Sequence, residues 1–328
     1  MKKTIKNNLP FIILAACIIV ALIVGTFFDY EISAALSSLS KGSYFSNNFF
    51  AAFFEIFGET PVYIFPSIAI CFVLIFFRES LKNKKGKQIL SVVICTLVLV
   101  GLNYYAATRF IKASDPYFNL SATLTGIYEY VFCLFFSLTF SLVWYLVSSA
   151  VAKNCSKENL KSLAICALIV IFTAIICEAI THGLKPIFSR ARYRFLFFLE
   201  ENGLSMDGVG FTKWFISSPE KEIPENLAAA GITSDAFRSF PSGHSTSVGM
   251  VLSLTLLPFA IQKFDTKKYN ILFYMLSFSI SLIVMVSRIV AGAHYLSDVC
   301  MGFLITLITF LIVRAVVFKI SRKTLFCK

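Results

Sequence analysis

Leu163-Ala-Ile-Cys-Ala-Leu-Ile-Val-Ile-Phe-Thr-Ala-Ile-Ile-Cys-Glu-Ala-Ile180 decides the fold. One charged residue, Glu178, interrupts an apolar run of the length needed to cross the hydrocarbon layer as a helix. Seven further stretches read the same way: Phe11–Phe28, Pro61–Phe77, Ile89–Ala107, Ile127–Val147, Ser245–Ile261, Ile271–Val290 and Leu296–Val313. The composition agrees. Hydrophobic residues make up 57% of the 328 positions, only 15% are charged and 36 are Phe, with a mean hydropathy of +0.78. Soluble domains carry about 25% charged residues, so a bilayer is the natural solvent. The sequence predicts an all-α polytopic membrane bundle of about eight transmembrane helices.

Charge orients the bundle. The net charge of +12 collects in alternate connections: at Lys2, Lys3 and Lys6; at Arg78, Lys82, Lys84, Lys85 and Lys87; at Lys153, Lys157 and Lys161; at Lys263, Lys267 and Lys268; and at Arg314, Lys319, Arg322, Lys323 and Lys328. Cytoplasmic loops collect Lys and Arg, so both termini are expected in the cytoplasm of a multi-pass cell-membrane protein, with no nucleic-acid partner. The first span is expected to be an uncleaved anchor. Residues 31–57 mix polar residues with Phe, as an amphipathic surface segment would. The nine cysteines include no C-x-x-C pair, so neither a structural disulfide nor a metal site is expected.

The segment from Gly183 to Gly243 and the turn at Ala291–Ser297 then share the outer side. They hold three unusual clusters. Lys185-Pro-Ile-Phe-Ser-Arg190-Ala-Arg192-Tyr-Arg194 places four cations in ten residues on the side where positive charge is scarce. Pro241-Ser242-Gly243-His244 opens a helix, whose free N–H groups and dipole suit a phosphate; Ser242 can cap that helix and Gly243 permits close approach. Ser287-Arg288 closes one span, and His294 and Asp298, four apart, share a face at the start of the next. An Asp holding one ring nitrogen leaves the other free as nucleophile or base. Two of the chain's three His fall in these clusters. The third, His182, lies on one helix face with Glu178 and Lys185, and is expected to pair with Glu178.

Together the clusters resemble the type-2 phosphatidic acid phosphatase superfamily, whose motifs read K-x6-R-P, P-S-G-H and S-R-x5-H-x3-D. Lys185 and Arg192, Pro241 to His244, and Ser287, Arg288, His294 and Asp298 supply them in that order; Tyr193 stands where the pattern has Pro. The resemblance implies a membrane lipid phosphatase acting on a lipid phosphate monoester or diphosphate, such as undecaprenyl diphosphate, without metal or cofactor. It implies that Lys185, Arg192 and Arg288 clamp the phosphate with help from Ser242 and the Gly243 N–H. His294, oriented by Asp298, would form a phosphohistidine, while His244 protonates the leaving oxygen and activates water. Arg190 and Arg194 are expected to matter less. Family members usually have six spans, so residues 1–87 read as an addition and 88–328 as a six-helix core with an active-site loop over 183–243. A transporter or flippase for anionic lipids is the main rival. A serine hydrolase built on Ser242 lacks the G-x-S-x-G elbow, and haloperoxidase chemistry belongs to soluble scaffolds.

Overall fold

A computed structural model describes residues 8–219, 221–229 and 231–326. Lys2, Lys3, Lys6, Glu220, Cys327 and Lys328 lie outside them, as do the side chains of Arg322 and Lys323. The described elements are helices and 3₁₀ turns, with no strand among them. The principal helices are α1 (Leu9–Leu36), α2 (Phe49–Phe57), α3 (Pro61–Ser80), α4 (Lys85–Phe118), α5 (Ile127–Lys153), α6 (Lys157–Phe188), α7 (Tyr193–Glu201), α8 (Gly243–Val248), α9 (Lys267–Val290) and α10 (Leu296–Phe326).

Seven helical stretches among the described residues are long and apolar enough to cross a membrane. The expected span Ser245–Ile261 is not one regular helix: α8 passes into a 3₁₀ run, Gly249–Leu256, and then a single turn, Leu257–Ala260. Its composition explains the break. Thr246 and Thr255 turn their hydroxyls onto the carbonyls of Ser242 and Leu252 at 3.1 and 2.6 Å, and Pro258 has no N–H to give.

The chain forms two compact units that do not follow sequence order. One comprises Thr60–Ile175, Met250–Phe278 and Thr309–Lys328. Within it α3, α4 and α5 pack on one another. The buried face of α5 carries Cys133, Ser137, Ser141 and Ser148, whereas Val131, Phe135, Leu138 and Leu142 on the same helix are exposed. Small residues let helix backbones approach where lipid supplies no hydrophobic drive, and large apolar residues suit lipid. Asn103 of α4 donates to Ser141 Oγ at 3.2 Å and Ser137 to the Val100 carbonyl at 2.6 Å, joining α4 to α5.

The other unit comprises Met1–Glu59, Ile176–Gly249 and Ser279–Ile308. It therefore unites α1 and α2 with all three motif clusters. The long polar segment is folded here on a core of Phe195, Phe198, Leu227, Ile232 and Phe237. Trp214 Nε1 donates to Thr26 Oγ1 of α1 at 2.9 Å. Helix α2 is amphipathic: Phe49, Phe53 and Phe57 line an exposed stripe, Ala51 and Ile56 are buried, and Asn48 caps its N-terminus.

Candidate active site

Helix α6 ends just beyond Lys185-Pro186. Ser189 takes a φ of +37°, with its N–H on the Lys185 carbonyl at 3.0 Å and its hydroxyl on the Pro186 carbonyl at 2.9 Å. The chain then runs without helix to α7 and buries Arg190, Arg192 and Arg194.

Each cation has its own anchorage. Arg192 donates from Nε to the Asp235 carbonyl at 2.8 Å, meets the Asp235 carboxylate at 2.8 Å and reaches the Ala293 carbonyl, next to His294, at 3.3 Å. Arg194 lies 3.4 Å from Glu55 and 3.8 Å from Asp235, beneath the rings of Tyr44 and Phe45. Arg288 is fully buried and paired through Nη2 with Glu55; its Nε and Nη1 have no hydrogen-bond partner in the structure. Two buried donors on a guanidinium are costly unless an anion meets them. Lys185 Nζ lies near Gly243, 3.5 Å from where a Cβ on that glycine would stand.

Arg190, expected to matter less than Arg192, is the most heavily engaged. It pairs with Asp29 of α1 at 2.9 Å and Asp298 of α10 at 2.5 Å, and donates to Ser297 Oγ and the Thr212 carbonyl. Its guanidinium also lies 4.1 Å from the Tyr295 ring centre. Asp29 further accepts from the Ser297 N–H at 2.8 Å and from the Ser297 hydroxyl. This cluster ties α1 to the start of α10.

His294 sits in the turn between α9 and α10. Gly292, at φ +62°, makes that turn and accepts the Arg194 N–H at 2.8 Å. The His294 Nδ1 lies 2.6 Å from the Ser239 carbonyl. A carbonyl only accepts, so Nδ1 carries the proton and Nε2 keeps its lone pair when the ring is neutral. Burial pulls the imidazole down to about 3, with Arg192 and Arg288 acting in the same direction against Asp298. Asp298 stands 3.8 Å from Nδ1, outside hydrogen-bond reach. Its oxygens accept from Arg190, from Ser239 Oγ at 2.5 Å and from the Tyr295 N–H at 3.0 Å. Ser239 touches both residues, its hydroxyl on Asp298 and its carbonyl on His294, and its own N–H is held by the Arg190 carbonyl at 3.1 Å.

Ser242 caps α8, accepting from the Ser245 N–H, and its own N–H donates to the Asp298 carbonyl at 3.1 Å. Gly302 lets α10 approach this closely, since a Cβ there would collide with the Ser242 carbonyl. His244 is buried beside the segment after α2. Its Nε2 lies 3.1 Å from the Glu55 carbonyl and its Nδ1 3.5 Å from Glu59. Burial, then the Arg288 charge, pulls this imidazole down to about 4. An acceptor at each nitrogen suits an imidazolium. The repulsion from Arg288 that opposes it would fall once an anion neutralised that charge.

The candidate residues from all three clusters therefore lie in one unit. His182 faces elsewhere: it pairs with Glu178 at 3.2 Å and its side chain is 59% exposed. Sequence reasoning missed Asp29, Glu55, Glu59 and Ser239. Asp29 and Glu55 carried a signal, each being an acid within an apolar helix, where a charge persists only with a partner.

Residues 166–322 match the family model of the PAP2 superfamily. No curated protein and no solved structure matches the chain.

Proposed function

We propose, from the match of residues 166–322 to the PAP2 superfamily and from the apolar helices, a membrane lipid phosphatase that hydrolyses a phosphate monoester or diphosphate on the outer side of the cell membrane. The observation that carries this reading is the Nδ1 of His294 held on the Ser239 carbonyl, which leaves Nε2 as a neutral nucleophile beside buried cations.

Lys185, Arg192 and Arg288 take the phosphate oxygens, with the Ser242 hydroxyl and the Gly243 N–H. The two unpartnered donors of Arg288 support its place in this clamp. His294 Nε2 attacks phosphorus and the bond to the leaving oxygen breaks. Phosphate bound at Arg288 relieves the repulsion on His244, which takes a proton and gives it to that oxygen. Water then attacks the phosphohistidine, with His244 accepting its proton, and inorganic phosphate leaves. Positioning and fixed positive charge supply most of the rate, so no metal is required. Alternating basic connections support the outer orientation.

The test is phosphate release by the purified enzyme in detergent, with EDTA, from phosphatidic acid, phosphatidylglycerol phosphate and undecaprenyl diphosphate. Turnover of at least one without a gradient is expected. No release from any, alongside gradient-dependent lipid movement in vesicles, would favour a transporter.

A further inference from the structure

The acid at position 55 enters the phosphate clamp from outside the motif-bearing half of the chain. Its carboxylate pairs with Arg288 Nη2 and lies 3.4 Å from Arg194, while its backbone carbonyl receives His244 Nε2 at 3.1 Å. One residue therefore touches two guanidiniums and the second motif histidine. Glu55 projects from the side opposite the exposed Phe stripe, and its side chain is only 12% exposed. A phosphate drawn to Arg288 must share that cation with a resident carboxylate. Arg288 still has Nε and Nη1 to offer, so the two anions need not exchange places.

We propose that Glu55, braced by Arg194, is a positioning residue that fixes Arg288 for the transition state and opposes retention of the phosphate product. A carboxylate a few ångströms from a bound phosphate repels it in every state. It repels the ground state and the product most usefully, because there the enzyme gains nothing from tight binding. Without it the clamp would hold more net positive charge, grip phosphate harder and release it more slowly. The idea rests on the phosphatase reading given above.

The experiment compares wild type with Glu55→Gln and Glu55→Asp. Binding of inorganic phosphate to each purified protein is measured by calorimetry, and kcat on one soluble phosphate ester is measured beside it. Glu55→Gln removes the charge, so phosphate should bind about tenfold tighter or more, while kcat falls. Glu55→Asp keeps the charge on a shorter arm, so phosphate affinity should stay near wild type while kcat falls. Unchanged or weaker phosphate binding in Glu55→Gln would overturn the proposal. If that variant does not fold, Glu55→Asp decides: wild-type kcat would overturn it, and reduced kcat at wild-type phosphate affinity would uphold it. Phosphate binding is read without turnover. A wild type that hydrolyses nothing would therefore sink the phosphatase reading, and the binding comparison would still decide the role of Glu55.

Discussion

The two compact units solve burial in opposite ways. Among the described residues, the unit built on α3, α4 and α5 buries no charged side chain; its buried polar groups are Ser, Thr and Asn, such as Ser67, Asn103, Ser141 and Thr173. The other buries Asp29, Arg190, Arg192, Arg194, Arg288 and Asp298, with His244 and His294 among them. A short hydroxyl carries no charge, so it can be buried without a counter-ion. A buried guanidinium cannot; it needs carboxylates brought from elsewhere in the chain. The first unit can therefore be assembled from apolar helices with small contact faces. The second requires α1, the loop after α7 and α10 to arrive together, and what they assemble is a site.

The largest effect that sharpens this contrast is at Arg190. Arg190→Met leaves Asp29 and Asp298 buried without their shared cation, and removing one partner of a buried pair costs about 3–5 kcal/mol. The variant should show a much lower Tm in detergent and little activity. A Tm within a degree or two of wild type would mean that the Asp29–Arg190–Asp298 cluster does not hold this unit together.

A second test uses acid. His244 and His294 titrate at about 4 and about 3 in the fold, against an ordinary value of 6.5. Below pH 6.5 the unfolded chain binds more protons than the native one, so stability falls as pH drops from 6.5 toward these values. Between pH 6.5 and 4.5 the Tm of wild type should fall more steeply than that of His244→Asn, measured in one detergent. Parallel curves would show that His244 is not held neutral by its surroundings.

The smallest effect is expected in the uncharged unit. Asn103→Ala removes the bond to Ser141 and should cost about 0.5–2 kcal/mol, the range for hydrogen bonds between membrane helices, with kcat unchanged. A loss of activity there would break the division between scaffold and site.

Much of this was legible in the sequence. Seven apolar runs are helices because apolar length alone suffices in lipid. The three motif clusters were legible because each concentrates rare residue types. Ser245–Ile261 misled because hydropathy counts methyl groups and does not register hydroxyls that compete for the backbone. The partners of Arg190 were hidden because Asp29 and Asp298 lie 161 and 108 residues away. Only the folded chain shows that a cation beside a motif is already fully occupied. Ser239 was invisible for a different reason: its carbonyl holds His294, and every residue has a carbonyl.

The most direct test of the central claim is where phosphate becomes attached. General acid catalysis is typically worth about 10²–10⁴-fold, and p-nitrophenolate needs it far less than a lipid alkoxide does. His244→Ala treated with p-nitrophenyl phosphate should therefore give a rapid burst of p-nitrophenol and then stall, because the water that would release the phosphate lacks its base. The stalled protein should carry an acid-labile phosphate that peptide mapping assigns to His294, and His294→Ala should give neither burst nor label. A burst that survives in His294→Ala, or a phosphate mapped to Ser242, would contradict the account.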